Sequence, residues 1–303
     1  MPRMDAKTLY IIGNGFDLHH GLLTSYSDFK AYLELVDHET HDWVQSYIPA
    51  GGKWANLEQA LAELDIDNIV SDMECFLGSY VDDEWSDAGH HDFQYEVDRV
   101  AEGLSKTLQG RFAEWVRSIT IPERSNISGL LRTLDVNATF LTFNYTSTLT
   151  RLYDVSAENI LHIHGEAADP DAEIVLGHAW SAEERPLLYD SVDPESADHR
   201  LLEAFSTLDD FFSSTFKPSK KIISDNLSFF DHLNTIEQVV VLGHSISPVD
   251  SAYFLRLIEA FDGRQVRWTI ARRPDSDGGE LVDNLKRMGV SHDLIRRVLW
   301  SQC

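Results

Sequence analysis

Apolar residues run without interruption at Leu9-Tyr10-Ile11-Ile12 and again at Val239-Val240-Val241-Leu242, and each run stops at a glycine. A run that is apolar at every position suits a strand buried on both faces, as in a parallel sheet. Ala138-Thr139-Phe140-Leu141-Thr142-Phe143 and Asn159-Ile160-Leu161-His162-Ile163-His164-Gly165 share this character. Glu173-Ile174-Val175-Leu176-Gly177-His178 repeats the form of a strand ending in glycine, and Gln265 to Ile270 reads as a further strand. Helical spacing fills the intervals. Phe29, Tyr32, Leu33, Leu35 and Val36 form one stripe, and Leu57, Ala60, Leu61 and Leu64 form another within Trp54 to about Val81. Val97, Val100, Leu104, Leu108, Phe112 and Trp115 mark a helix over about 93–119. Later helices are expected from Thr146 or Ser147 as cap through Tyr153, then over 198–215, 226–234, 250–261 and 279–288.

Alternation of strand and helix, with strands that end in Gly or Asn turns, predicts an α/β fold with an open, mostly parallel, Rossmann-like sheet. Pro49-Ala50-Gly51-Gly52 breaks the chain. About seventy residues of helix then separate the first strand from the next. The expected division is a nucleotide-binding core from 1–50 and 130–303 with a helical insertion at 51–129. Acidic residues Asp82-Asp83-Glu84, Asp87 and Asp92 read as solvated loop and helix ends.

The composition narrows the classes. With 303 residues and 43% apolar content the chain can bury a sizeable core. It has no apolar run near 18 residues, which argues against a membrane span. Met1 to Lys7 lacks the apolar segment of a signal peptide, so a cytoplasmic protein is expected. Cys75 and Cys303 are the sole cysteines, which fits a reducing compartment without a structural disulfide. Fifty acidic against 25 basic residues leave a formal charge of −25. Such a surface disfavours nucleic acid as a partner, and the only dense basic group is Lys217, Lys220 and Lys221, with Arg272 and Arg273 later.

Polar residues gather where the expected strands end. Gly13-Asn14-Gly15-Phe16 with Asp17, Asn144, His164, and Gly243-His244-Ser245 would lie along one edge of a parallel sheet, where ligands of such folds bind. Gly13 and Gly15 permit a sharp turn and close approach of a ligand, although the third glycine of the dinucleotide fingerprint is replaced by Leu18. Asn144 suits either turn chemistry or the orienting of a water or ribose hydroxyl. His164 suits a general base near neutral pH. His162 and His164, two apart on a strand, are expected to face the same way, but no third ligand stands at a metal-type spacing and no metal is expected. His244-Ser245 reads as a turn and cap or as a ribose or phosphate contact. It is not a nucleophile elbow, because the Gly-x-Ser-x-Gly pattern fails at Ser247. Glu58 reads as a surface charge, or as an acid should the helical insertion fold over the site.

The stretches GNGFDLHHGLLTSYSDF, WANLE, FLTFNYTSTL, ILHIHGE and VLGHSISPVDSAYF resemble the bacteriophage abortive infection family AbiH, in that family's order and over nearly the whole chain. More distantly, the chain is similar to the SIR2-like fold of sirtuins and of bacterial anti-phage NAD hydrolases. That resemblance implies that Gly13, Gly15 and Gly21 form a sirtuin-type cofactor loop, that Asn144 is the strand-end asparagine and that His164 is the catalytic histidine. It also implies that Gly243-His244-Ser245 is the later nucleotide loop. The chain departs from it at Asp17, near a sirtuin serine, at the bulky His244, and in lacking the cysteines of a structural zinc, which disfavours deacetylation.

These readings lead to an expected abortive-infection effector that hydrolyses the N-glycosidic bond of NAD⁺ and releases nicotinamide. Asn144, His164 and Asp17 are the expected catalytic residues, and Gly13, Asn14, Gly15, Phe16, Gly243, His244 and Ser245 the nucleotide-binding ones. NAD⁺ enters as substrate, with no separate cofactor. A homo-oligomer or a defence-system partner protein is a further expectation. Two other readings stand beside this one: a module that binds NAD or ADP-ribose without turnover and acts through a partner, and a nuclease toxin holding Mg²⁺ on Asp17, Glu58 and Asp250.

Overall fold

The computed structural model describes residues 6–77, 91–127, 129–180, 185–191, 198–272 and 278–303. The expectations for Val81, Asp82-Asp83-Glu84, Asp87 and Arg273 lie outside the described residues. The chain forms two compact units. One comprises Met1–Ser25, Trp115–Val175 and Pro218–Cys303, and the other Tyr26–Glu114 with Leu176–Lys217. Residues 26–50 and 176–217 thus pack with the second unit, and 115–129 with the first.

The first unit holds a six-stranded, wholly parallel sheet: β1 (Thr8–Ile12), β2 (Thr139–Thr142), β3 (Ile160–His162), β4 (Gln238–Leu242), β5 (Arg267–Arg272) and β6 (Ile295–Leu299). Their order across the sheet is β3-β2-β1-β4-β5-β6. This is the doubly wound Rossmann-like order, with its topological switch point between β1 and β4. The uninterrupted apolar runs have the expected cause. Leu9, Ile11, Val239 and Val241 enter one apolar cluster, against Phe254, Leu257 and Leu285. Tyr10, Ile12, Val240 and Leu242 enter the other, with Phe140, Leu152 and Trp300. Alternate residues of the same strand therefore feed both faces, each full burial worth about 1.5–3 kcal/mol.

Pairing register sets the level of the strand ends. Ile12 lies opposite both Thr142 and Leu242, and Thr142 lies opposite His162. Asn14, Asn144, His164 and His244 each stand two residues past that row, so four neighbouring strands deliver them at one level of one sheet edge.

The expected strand over 173–178 does not form. The chain passes from the first unit to the second between Val175 and Leu176, so its amides find different partners. Val175 N–H donates to the His164 carbonyl (3.0 Å) and His178 N–H to the Thr215 carbonyl (2.9 Å).

The second unit is helical. The segment expected as one helix from Trp54 is broken into Leu57–Ala60, a 3-10 turn at Leu61–Glu63 and Ile66–Met73. The break falls at Asp65, whose carboxylate caps the Asn68 amide at the start of the new helix. The expected helix over 93–119 is Asp92–Glu102 and Leu108–Ser118, joined by a π turn at Gly103–Thr107. A Cβ on Gly103 would lie 2.2 Å from the Trp43 ring, so the close packing of that turn requires glycine. Trp54, Leu57 and Leu61 are buried, as the amphipathic stripe requires.

Candidate functional site

The turns after β1 and β4 meet at the switch point through their backbones. Gly13 N–H donates to the Leu242 carbonyl (3.0 Å) and Gly15 N–H to the Gly243 carbonyl (2.9 Å). A Cβ on Gly15 would lie 2.8 Å from Gly243 Cα, and Gly243, at φ +73°, would place one 2.2 Å from the Phe16 amide. Glycine is needed here for loop to approach loop. The short helix Asn14–His19 begins at this turn. The Gly15 amide is occupied by Gly243, and the Phe16 amide donates to the Gly13 carbonyl (2.8 Å). The Asn14 side chain donates to the Thr24 carbonyl (2.7 Å), and Phe16 is wholly buried in the core. Ser245 is exposed.

Beyond this seam, Asp17 and Asn144 form a polar pair that folding leaves incomplete. Asp17 is 1% exposed. Its Oδ2 accepts from the Thr146 hydroxyl (2.5 Å), which also lies 2.9 Å from the Thr148 hydroxyl. Its Oδ1 has no hydrogen-bond partner among the described residues, and neither does either side-chain atom of Asn144. Burial pushes the Asp17 carboxyl up to about 6, against the opposing pull of Thr146, Thr148 and the neighbouring Asn144 amide. The amide is therefore near enough to favour the carboxylate without completing a bond to it. Of the two expected caps, Ser147 holds the N-cap position but gives its hydroxyl to Glu166 (2.6 Å), while Thr146 serves Asp17.

The two histidines of His162-x-His164 have separate partners. Strand β3 ends at His162, whose Nδ1 donates to the Asn144 carbonyl (3.1 Å) and whose Nε2 lies 3.7 Å from Glu166. Burial lowers the His162 pKa against the pull of Glu166. His164, 3% exposed, packs edge-on to Phe143, with its Nε2 3.9 Å from Asp250 Oδ1. The other oxygen of Asp250 lies 3.5 Å from His244 Nε2 and 3.3 Å from the Ser247 hydroxyl. His244 Nδ1 accepts the Ile246 N–H (2.8 Å), which places the ring proton on Nε2, toward Asp250. Ile246 itself is buried at φ +54°, a strained setting for a β-branched residue, and its carbonyl accepts from Asn284 (3.0 Å).

Asp17, Asn144, His164 and His244 are thus all buried at one sheet edge. Sequence reasoning gave Asp250 only a metal-holding role and Thr146 only a capping one. Asp250 looks like an ordinary first-turn acid, and its nearness to two histidines depends on β3 and β4 ending level. The magnesium reading loses Glu58, since both its oxygens are engaged in the helical unit, by Tyr26 and by Lys217. The basic group dissolves as well: Lys217 is buried against Glu58, and the exposed Lys221 pairs with Asp225.

Among the described residues no helix is long and apolar enough to cross a membrane. No curated protein matches the chain. The family described as bacteriophage abortive infection AbiH matches residues 9–272, a span that carries every strand end from Asp17 to Asp250. The chain belongs to the bacteriophage abortive infection family AbiH.

Proposed function

We propose that this protein acts in abortive infection by hydrolysing NAD⁺ at the bond between nicotinamide and ribose. The observation that carries the reading is the incomplete pair at the sheet edge. Asp17 Oδ1 and Asn144 Oδ1 are acceptors and the Asn144 amide nitrogen carries two N–H donors, all buried without partners among the described residues. Unsatisfied buried polar groups cost about 1–3 kcal/mol each, so these atoms call for a water or a ligand group to complete them. Ribose hydroxyls, which both donate and accept, are the natural complement.

In the reaction, the glycosidic C–N bond breaks and its electron pair goes to the nicotinamide ring nitrogen. The sugar passes through an oxocarbenium-like state, and water adds at the anomeric carbon and gives up a proton. Asn144 orients that water or a ribose hydroxyl. His164 accepts the proton. Asp17, ionised above a pKa of about 6, sets a negative charge against the cation. The pyrophosphate has less support from the first turn than glycine spacing implies, because the Gly15 and Phe16 amides are already bonded. That occupied seam weakens pyrophosphate binding equally for hydrolysis and for the rival, a module that senses NAD or ADP-ribose without turnover, so turnover has to separate them.

Purified protein incubated with NAD⁺, with nicotinamide release followed by chromatography, separates the two. Asn144→Ala and His164→Ala should each lower release by about 10²–10⁴-fold with the fold retained. Wild-type protein that binds NAD⁺ but never releases nicotinamide, even with phage components present, would support the sensor.

A further inference from the structure

Asp250 is a buried carboxylate with an imidazole on either side. Its side chain is 12% exposed, His244 Nε2 lies 3.5 Å from one oxygen, and His164 Nε2 lies 3.9 Å from the other. His164 and His244 follow two strands that are not neighbours, β3 and β4, and Asp250 lies in the 3-10 turn Pro248–Asp250 beyond β4. The His244 side of the arrangement is rigid. Its Nδ1 is committed to the Ile246 amide, and Ile246 is held in a strained conformation with its carbonyl bound by Asn284. Strain of this kind persists only where the surroundings enforce it. Here it fixes one ring nitrogen so that the other presents its proton to Asp250.

We infer that Asp250 is the positioning residue for His164, anchored by His244 and Ser247 so that its second oxygen faces the His164 ring. His244 then serves as the anchor of the carboxylate. As His164 takes a proton, Asp250 supplies the opposite charge at ion-pair distance and steadies the imidazolium. Among the described residues, the polar groups that face His164 include Asp250, His244 beyond it, and the phenols of Tyr145 and Tyr253, whose rings lie 6.4 and 5.5 Å from the imidazole. Asp250 is the only carboxylate among these described groups. The inference rests on the NAD⁺ reading for its catalytic consequence but not for its electrostatic one.

Two measurements keep these apart. The first needs no substrate: NMR titration of the imidazole resonances in the full chain, with His164→Gln used to assign His164. In Asp250→Asn the midpoint of His164 should fall by half a pH unit or more from its wild-type value, and Asp250→Glu should restore part of the change. An unchanged midpoint in Asp250→Asn overturns the inference whatever the substrate proves to be. Should Asp250→Asn fail to fold, the same comparison is made with Asp250→Glu, whose longer stem must still move the midpoint. The second is NAD⁺ turnover. Asp250→Asn should lower the rate at saturating NAD⁺ by 10-fold or more, leave NAD⁺ affinity within about twofold, and move the acid limb of the pH–rate profile. Equal loss of affinity and rate would make Asp250 a binding or structural residue. A shifted His164 midpoint in a protein whose wild type never cleaves NAD⁺ would retain the positioning role and remove the glycohydrolase.

Discussion

Glu58 in the helical unit and Asp17 in the sheet unit are both carboxylates approached by hydroxyl groups, yet folding completes one and not the other. Glu58 accepts the Tyr26 hydroxyl on one oxygen and the Lys217 ammonium on the other. Lys217 has no exposed side-chain surface, so the pair is an internal ion pair with its charge balanced. Among the described residues no cation pairs with Asp17; one oxygen takes Thr146 and the other takes nothing. A balanced network stabilises the packing around it, while an unbalanced one raises the energy of the fold and is kept for what it does. By this criterion the acid of the WANLE helix is a structural one, and the acid of the GNGFD turn is the one for which we propose a function.

The largest effect is expected where the balance is broken. Glu58→Ala removes the carboxylate that neutralises a fully buried ammonium. Loss of one member of such a pair should cost about 3–5 kcal/mol, read as a lower urea midpoint in equilibrium unfolding. A cost below about 1 kcal/mol would place Glu58 with Asp17 instead, as an acid held for chemistry.

Asp17→Asn should act in the opposite direction. Burial raises the folded-state pKa from 3.8 to about 6, so the native protein disfavours the carboxylate. The penalty is full above the folded pKa, is relieved as pH falls from about 6 toward 3.8, and vanishes below 3.8, where native and unfolded chains are both protonated. The neutral amide, which can still accept from Thr146, should therefore stabilise the protein by up to about 3 kcal/mol at pH 8 and by little near pH 4. Nicotinamide release should be lost in the same variant. Stability measured at both pH values tests the sign, and destabilisation at pH 8 would mean that Asp17 holds the fold together.

How much of this was open to sequence reading differs element by element. The apolar runs identify β1 and β4, and β2 with its two buried threonines, because a central strand buried on both faces is predominantly apolar. Strand β6, Ile-Arg-Arg-Val-Leu, escapes because an edge strand keeps exposed arginines. Helix His38–Tyr47 escapes because its buried stripe is Thr40, His41, Val44 and Tyr47, which hydrophobicity alone does not register. The glycines of the first turn are legible as a tight place, but their partner is the Gly243 backbone, which only the strand order reveals. The LHH stretch also has a role invisible in one dimension. His20 donates through Nδ1 to the Phe16 carbonyl and accepts the Tyr153 hydroxyl at Nε2, tying the first helix to the one after β2. Asn144 and His164 were legible as strand-end polar residues. Their shared level, and the Asp250 bridge to His244, come from register between strands far apart in sequence.

The smallest effect, and the finest test of the contrast, is expected from Asn144→Ala. Removing a buried amide usually costs its hydrogen bonds, but neither atom of this one has a partner to lose among the described residues. Relief of its desolvation should offset the small void left behind, and the net change should stay within about 1 kcal/mol. What remains is its influence on Asp17, whose charged form the amide favours. That influence exists only while Asp17 is ionised. A double-mutant cycle of Asn144→Ala with Asp17→Asn should therefore show coupling at pH 8, above the Asp17 pKa of about 6, and little at pH 5, where the native carboxyl is mostly protonated. Equal coupling at the two pH values would mean that Asn144 and Asp17 meet by packing rather than by charge. A large destabilisation from Asn144→Ala alone would put the sheet-edge pair in the same class as Glu58 and Lys217.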